Sequence, residues 1–324
     1  MAAGRYLLRR AGFALLLVAV VSSASLVLVR LAPGDATAAE ALEMTAEERA
    51  RVRAQLGLDR PLLAQYVDWA SHAVRLDFGQ SFLYARPVSD LLGERARNTA
   101  VLASSALVLA TLIGLPLGVL TGSRPDTIGA AVTRALSLLA LSVPPLVAAL
   151  LLVLLAARTG WMPVGGMTSL AAASGTWGAW LSDVARHVPL PALALALPFA
   201  ATLERVQSEA VADAVAEPFV RAARARGLTY GDAVRRHAWR ASLRPVLGIY
   251  GLIIGSLFSG SFIVEVVTAW PGLGRLMFDA LRARDLYLVA GTAATGAAFL
   301  ALGTLIADAL LALADPRVAE EREP

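Results

Sequence analysis

The chain contains no cysteine and no lysine, so all 29 of its basic residues are arginines. Without cysteine it can form no disulfide and bind no metal through thiolates. Without lysine it cannot contain a Walker A loop, whose lysine reaches the β- and γ-phosphates of a nucleotide. Its three histidines, His72, His187 and His237, are scattered and form no H-E-x-x-H motif. The sequence therefore predicts no catalytic residues, no metal site and no cofactor bound by this chain.

Charged residues are scarce, and long apolar runs dominate the chain. Hydrophobic residues make up 57% of it and charged residues 17%, and its mean hydropathy is +0.63. Apolar runs of this kind indicate membrane spans, and they are expected to be helices because an open sheet edge cannot lie in lipid. We therefore predict an all-α polytopic membrane protein with one transmembrane domain over residues 1–324. Its six predicted spans cover approximately residues 11–29, 99–120, 135–157, 189–203, 246–264 and 286–306.

The distribution of arginines predicts the orientation of the chain. With the N-terminus in the cytosol, 15 arginines fall in cytosolic tails and loops and five in the two short outer loops, and the remaining nine lie between Arg30 and Arg97, a segment too long to count in the positive-inside rule. This satisfies the positive-inside rule, so both termini are expected in the cytosol. The basic residues do not alternate with aromatic ones, so no nucleic-acid partner is expected. Arg9-Arg10 and the following apolar run also resemble a signal peptide, but the run continues through Val29, which favours a permanent first span.

The predicted spans contain no Asp, Glu, Lys, Arg or His. The nearest acidic residues, Glu204, Glu265 and Asp308, are expected at span ends. Ion-driven carriers usually place an ionisable side chain near the bilayer midplane, because so costly a group is kept there only for function. The sequence therefore favours a neutral pathway that another protein opens. A self-sufficient secondary carrier and a non-transporting membrane scaffold are the alternatives.

Residues 31–98, between the first two spans, are predicted to form a small extracytoplasmic helical region. Thr45-x-x-Glu48 is a capping box that opens a charged helix ending at Gly57. Pro61 starts a second, amphipathic helix. A third helix, Val88–Arg97, leads into the second span. The region is either a solvated cap or a docking ledge for an extracytoplasmic partner.

Small residues and prolines are expected to shape the bundle. Gly114-Leu-Pro-Leu-Gly118 and Gly251-Leu-Ile-Ile-Gly255 are small-xxx-small faces that allow close helix approach. Pro144-Pro145 is expected to kink the third span. One side of the fifth span is small and weakly polar, which suits either ordinary helix packing or a translocation path. The candidate pathway-lining residues there are Ser256, Ser259, Gly260 and Ser261.

Between the fourth and fifth spans lies an arginine-rich loop, residues 208–245, with an ordered helical pattern. A first helix is predicted from Ser208 to Arg226, ending at the C′ glycine Gly227. A second is predicted to begin at the capping residue Thr229 and to end before Pro245. Two helices that meet at a glycine form a projecting element that another protein could pull. The alternative is a solvated basic face that only obeys the positive-inside rule.

Short motifs along nearly the whole chain resemble those of one family. Each is weak alone, but their order and spacing together are specific. They resemble the membrane subunits of ATP-binding-cassette importers of the peptide/nickel class. The motifs are Tyr6–Arg10, Leu31–Asp35, Leu56–Leu63, Asp77–Gly79, Arg86–Val88, Ile113–Gly118, Gly160–Pro163, Trp270–Arg275, Arg284-Asp285 and Asp315–Arg317.

The resemblance implies the type I importer permease fold, and it matches loop 208–245 to the family's EAA loop, a coupling element that inserts into a groove of the ATPase. Arg221-Ala222-Ala223 stands in place of Glu-Ala-Ala, and His237–Arg240 in place of an Ile-x-Leu-Pro ending, as in the peptide/nickel branch. The implied ATPase-coupling residues are Phe219, Arg221, Ala222, Ala223, Ala225, Gly227 and Leu228. A turn with an expected interfacial tryptophan supplies a candidate outer gate or binding-protein contact, namely Trp270, Pro271, Gly272 and Gly274.

The resemblance also implies the partners. Two ATPase subunits would bind ATP and Mg²⁺, a second homologous permease would complete the pathway, and a substrate-binding protein would deliver the solute from outside. This chain would then form half of a translocation pathway across the cytoplasmic (inner) membrane of a prokaryote. Short peptides are the expected solute, with nickel, haem or another small solute as the alternative for the same architecture.

Overall fold

The structure is a computed structural model that describes residues 2–31, 45, 47, 50, 51, 59–169 and 175–314. The regular elements within these residues are helices, with one isolated bridge between Gln80 and Pro87. The all-α prediction is confirmed. The predicted capping box requires Glu48 and its helix was expected to end at Gly57, and both residues lie outside the described part of the chain.

Twelve α-helices are named here in chain order, and their bounds follow. They are α1 (Ala2–Leu31), α2 (Leu62–Ala73), α3 (Val88–Ser123), α4 (Ile128–Ser142), α5 (Pro145–Thr159), α6 (Trp177–His187), α7 (Pro189–Ala216), α8 (Pro218–Ala225), α9 (Tyr230–Ala233), α10 (Trp239–Val267), α11 (Leu273–Ala283) and α12 (Leu286–Ala314). A π-helical turn, Val234–Ala238, joins α9 to α10.

Among the described residues, four helical stretches are long and apolar enough to cross a membrane. The number rises to six if two bent pairs, α4 with α5 and α6 with α7, are each counted as one span. The six predicted spans all fall on these elements. α7 begins at the predicted residue, Pro189, because proline suits the first turn of a helix. α12 begins at Leu286, where the Leu288 N–H donates to Asp285 Oδ1 at 3.1 Å.

The third predicted span is broken rather than kinked. α4 and α5 meet at an angle of 106°. Val143 is extended, with φ −89° and ψ 115°, because the proline after it disfavours the helical conformation. Pro145 then occupies the first turn of α5. The prediction of one kinked helix over residues 135–157 is therefore wrong.

Two helices lie in segments predicted to be outer loops. Thr176 caps α6 by accepting a hydrogen bond from the Ala179 N–H at 3.4 Å, and α6 buries Val184 and His187. α11 buries Leu273, Leu276 and Ala280 on one side. Apolar residues at this spacing indicate a helix. Both helices have 11 residues, which is too few to span a bilayer.

The described residues divide into two compact units. The first comprises Met1–Thr99 and Pro271–Ala301. Its apolar cores gather side chains of α1, α2, α3, α11 and α12. The fully buried Asp285 fixes the segment before α3, because it accepts hydrogen bonds from Ser81 Oγ at 2.6 Å and from the Leu83 N–H at 3.0 Å. In the same segment, burial and the neighbouring Asp279 carboxylate raise the pKa of Tyr84.

The second unit, Ala100–Trp270 with Leu302–Pro324, is built around α7. This helix packs against α4, α5 and α10. α3 also approaches it closely, and the contact requires glycines. A Cβ atom at Gly114 would lie 2.5 Å from the Ala200 carbonyl oxygen, and one at Gly118 would lie 2.6 Å from that of Glu204. The predicted small face Gly114–Gly118 is confirmed, and Gly122 extends it by a further turn toward Ser208.

Gly118→Ala is expected to lower the free energy of unfolding by about 1–3 kcal/mol, because the new methyl group overlaps the backbone of α7. Gly93→Ala in the same helix is the control, since nothing lies within 4 Å of a Cβ atom there. Thermal unfolding of the purified chain in detergent measures both variants. Equal melting temperatures for the two would contradict the close approach.

Candidate functional site

A proline corner separates the long helix α7 from the short helix α8. Glu217 is extended, with φ −68° and ψ 147°, because Pro218 follows it. α8 begins at Pro218 and has eight residues. The prediction of one helix from Ser208 to Arg226 is therefore wrong at this point. The corner leaves α8 as a separate short helix in direct covalent connection with a predicted span.

Gly227 ends α8 in the conformation that its position requires. Its φ is +95°. The Leu228 N–H donates to the Ala223 carbonyl at 3.3 Å and the Gly227 N–H to the Arg224 carbonyl at 2.9 Å, which is the Schellman pattern. The prediction of a C′ glycine is confirmed. Side chains are disfavoured at this φ, so the chain reversal after α8 depends on glycine.

The return helix begins at the predicted residue but continues further than predicted. Thr229 Oγ1 accepts a hydrogen bond from the Asp232 N–H at 3.2 Å and donates to Asp232 Oδ2 at 2.7 Å. The helix then passes through the π-helical turn and Pro245 to Val267 without a break. The predicted end before Pro245 is wrong, because membrane helices tolerate an internal proline.

α8 has a buried face and an exposed face. Val220 and Ala223 are 1% and 2% exposed and pack in an apolar cluster with Ala214, Ala233 and Ala238. Leu228 is partly buried against the same cluster. The exposed residues of the predicted coupling set, here called the α8 surface, are Phe219, Arg221, Ala222, Ala225 and Gly227, and Pro218, Arg224 and Arg226 beside them are exposed as well.

The predicted coupling set is therefore divided by the structure. Five of its seven residues form the α8 surface, while Ala223 and Leu228 face the chain's own cluster. Assigning Ala223 to an exposed contact surface is wrong, since it is 2% exposed. The sequence carried a signal for this: Val220 and Ala223 stand three residues apart on one side of a helix, which is the spacing of a buried stripe.

Tyr230 fastens the return helix to the end of α3. Its hydroxyl donates a hydrogen bond to the Ser123 carbonyl oxygen. The Arg224 guanidinium lies 5.4 Å from the centroid of the Tyr230 ring, a cation–π contact. α8 is thus held at its start by the proline corner and near its end by Tyr230.

A cavity of about 310 Å³ lies beside the start of α8. Sequence reasoning did not predict it, because its walls come from α7, α8 and α10. Asp213 and Glu217 contribute its acidic groups and Phe219 its aromatic one. The remaining lining residues are Ala210, Ala214, Ala241, Ser242 and Pro245. A basic or amphipathic side chain of another protein would fit such a wall.

The candidate pathway residues on α10 do not share one face. Ser259 is exposed, whereas Ser261 is 2% exposed and donates its hydroxyl to the Phe258 carbonyl at 3.0 Å. A Cβ atom at Gly260 would lie 3.0 Å from Leu195 Cδ1, so this glycine permits packing against α7. Burial argues against Ser261 as a pathway-lining residue, and Ser256, Ser259 and Gly260 remain a prediction.

The predicted interfacial tryptophan is buried. Trp270 is 0% exposed and packs in the main apolar cluster of the second unit. Gly272 and Gly274 are also buried, and Pro271 is half-buried. Within the first unit, the Pro271 carbonyl accepts a hydrogen bond from Asn98 Nδ2 at 2.8 Å. Burial of Trp270, Gly272 and Gly274 argues against their direct contact with a binding protein, and a role of this turn in an outer gate stays a prediction.

Two of the carboxylates expected at span ends are buried. Glu204 in α7 is 2% exposed and Glu265 in α10 is 0% exposed. Glu204 Oε1 accepts a hydrogen bond from Thr121 Oγ1 at 2.6 Å. The absence of ionisable side chains is thus a weaker argument against an ion-driven carrier than the sequence indicates.

Within the described ranges, no three His, Cys, Asp or Glu side chains are placed to hold a metal ion.

Comparison with known proteins gives two family matches and relatives that cover most of the chain. Residues 114–320 match the binding-protein-dependent transport system inner membrane component family, and residues 3–103 match the N-terminal family of such membrane components. The oligopeptide transport system permease protein AppB of Bacillus subtilis is 32% identical over 97% of this chain and 98% of its own length. The oligopeptide transport system permease protein OppB of Mycobacterium tuberculosis is 37% identical over 81% of this chain and 82% of its own.

Gly227→Ala is expected to loosen the reversal after α8, because a left-handed conformation costs a residue other than glycine roughly 1–2 kcal/mol. Gly231→Ala is the matched control, since a Cβ atom meets nothing within 4 Å at either glycine and only Gly227 has a positive φ. Limited trypsin digestion at the neighbouring Arg224 and Arg226 reports the change. We expect faster cleavage in Gly227→Ala only, and equal rates in both variants would refute the assignment.

Proposed function

The chain belongs to the family of binding-protein-dependent transport system inner membrane components, and from this premise we propose that it is the permease subunit of an ATP-driven importer of short peptides. It is a multi-pass inner-membrane protein and works with a substrate-binding protein and other subunits. Both relatives named above are permeases of oligopeptide transport systems, which supports short peptides over nickel or haem as the solute.

The observation that carries this proposal is the exposure of the α8 surface on a helix whose other face is packed in a buried apolar cluster. A short helix presents Phe219, Arg221 and Ala222 outward while Val220 anchors it from beneath. Aromatic and arginine side chains are enriched where proteins bind one another. The acidic cavity beside Phe219 adds a recess for a partner's side chain. We assign this surface to contact with an ATPase subunit.

ATP and Mg²⁺ are assigned to that partner. This chain has no lysine, and a Walker A loop requires one. In this proposal two ATPase subunits close on ATP and displace α8 on each permease. The chain itself carries out no hydrolysis, and its role is to convert that displacement into movement of its spans.

The covalent route for this displacement is short. α8 continues into α7 across the corner at Glu217, and α7 packs against α4, α5 and α10. Packed helices switch between discrete arrangements and do not deform continuously. A pull on α8 would therefore move α7 as a body and change the pathway between this chain and a second, related permease.

The remaining assignments follow from the arginine distribution and the family. Both termini and the α8 surface lie on the cytosolic side in this proposal, in agreement with the positive-inside rule. The segment before α3, with the described helix α2, lies outside and is the candidate ledge for the binding protein. Recognition of the peptide then rests mainly with that partner.

Ala222→Arg is expected to weaken ATPase binding strongly, because a long charged side chain would stand at the centre of the α8 surface. Ala185→Arg is the matched control, an exposed alanine on the short helix α6 on the side assigned to the exterior. Co-purification of the ATPase subunits with the tagged permease measures both. Retention of the ATPases by Ala222→Arg would remove the α8 surface from the proposal.

The purified chain alone, reconstituted in liposomes, is expected to hydrolyse no ATP and to take up no peptide. The complex with its ATPase subunits, second permease and binding protein should take up radiolabelled trialanine when ATP is supplied to the cytosolic side. Uptake by the chain alone under a proton or sodium gradient would instead establish the secondary-carrier alternative.

A further inference from the structure

A polar link joins three helices of the second unit close to the α8 surface. α7 is its middle member. Glu204 accepts a hydrogen bond from Thr121 of α3 at 2.6 Å, and one turn later Gln207 Nε2 donates to Ser242 Oγ of α10 at 2.6 Å. All four side chains are buried, with at most 2% of each residue exposed. Nothing in the proposed function so far requires polar groups at this place.

We propose that the Thr121–Glu204 hydrogen bond is the link that makes α3 follow α7 when α8 is displaced, so that Glu204 is a positioning residue for transport. The proposal rests on the proposed function, because it takes the α8 surface as the point where the ATPase acts. It goes further by naming the bond through which the motion of α7 reaches α3, a helix that is separated from α8 along the chain by α4, α5, α6 and α7.

The cost of burying these groups argues for a role. Apolar side chains of similar size would pack α3 against α7 without any loss of hydration. A carboxylate at the edge of a predicted span is expensive, and such residues generally persist for a function. A hydrogen bond also differs from apolar packing in being directional, so it resists sliding of one helix along the other. If the two helices could slide, α7 could be displaced without moving α3.

The bond is placed where the two helices are closest. The Thr121 hydroxyl lies 2.6 Å from Glu204 Oε1 but 3.1 Å from the Leu117 carbonyl of its own helix, so Glu204 is its nearest acceptor. Gly118, three residues earlier on α3, contacts Glu204 and Gln207 so closely that a Cβ atom would lie 2.6 Å from each. Close glycine packing and a short bond to a carboxylate together fix α3 on α7.

The second half of the link leaves one buried polar atom without a partner. Gln207 Oε1 is buried and has no hydrogen-bond partner among the described residues. A buried acceptor without a donor is unfavourable. The Gln207–Ser242 half therefore satisfies its polar groups less completely than the Thr121–Glu204 half. In this proposal, α3 and α7 move together when α8 is displaced.

The test compares peptide uptake per ATP hydrolysed by the complete complex in proteoliposomes, with radiolabelled trialanine as the probe. Thr121→Val keeps the shape of the side chain and removes the donor. We expect it to retain ATP hydrolysis and to lower the uptake ratio at least about fivefold, the lower end of typical coupling effects. Glu204→Gln keeps an acceptor oxygen and should preserve most of the ratio. If Thr121→Val does not assemble, Glu204→Met replaces it as the bond-breaking variant.

Thr111→Val is the matched control. Thr111 lies on the same helix, and its hydroxyl forms an interhelical hydrogen bond with Tyr250 at 2.7 Å. Its removal tests whether any lost bond between spans has the same effect. A similar loss of coupling in Thr111→Val, or an unchanged ratio in Thr121→Val, would overturn the proposal. Absence of ATP-dependent uptake in the wild-type complex would instead count against the proposed function.

A second readout follows the helices directly. Because the chain has no cysteine, spin labels can be attached at Arg226→Cys at the end of α8, outside the α8 surface, and at Ser104→Cys on α3, both of which are exposed. With the link intact, we expect the distance between the labels to be the same with and without ATP. In Thr121→Val it should change on ATP binding. An equal distance in both nucleotide states of Thr121→Val would contradict the proposal even if transport were impaired.

Discussion

The close approach of α3 to α7 is the constraint on which the second unit depends. Lipid offers little hydrophobic gain for helix association, so van der Waals contact and interhelical hydrogen bonds must hold the helices together. The helices are so close at Gly114 and Gly118 that a Cβ atom at either glycine would lie 2.5–2.6 Å from the α7 backbone. Only that proximity brings Thr121 within 2.6 Å of Glu204. α7 then serves as the common partner of α3, α4, α5 and α10 and as the direct extension of α8.

The α8 surface is small, and two backbone features determine its position. Pro218 sets the corner before α8, and Gly227 sets the reversal after it. The side chains between them need only be buried on one side and accessible on the other. Arg221 occupies the position at which the EAA pattern has a glutamate. Because this position is exposed, the fold accepts a side chain of either charge there.

Local signals in the sequence predicted much of this arrangement. The C′ glycine Gly227 and the capping Thr229 were predictable because each acts within a few residues of itself. The burial of Trp270 and Glu204 could not be read in the same way, since it depends on helices distant in the chain. The helix end predicted before Pro245 was wrong for a different reason. Proline usually ends a helix in a water-soluble protein, whereas a membrane-spanning helix can continue through it. The apolar spacing in α6 and α11 is typical of helices, but both segments are shorter than a span and were predicted only as outer loops.

The π-helical turn Val234–Ala238 has a consequence for how the chain can vary. It inserts one extra residue into the helical register between Tyr230, which is bonded to Ser123, and Ser242, which is bonded to Gln207. Loss of one residue here would rotate Ser242 by about 100° around the helix axis relative to Tyr230, so the two hydrogen bonds could not both form as they do. An insertion or deletion of one residue in this stretch is therefore expected to disturb the structure more than replacement of its exposed arginines Arg235 and Arg236.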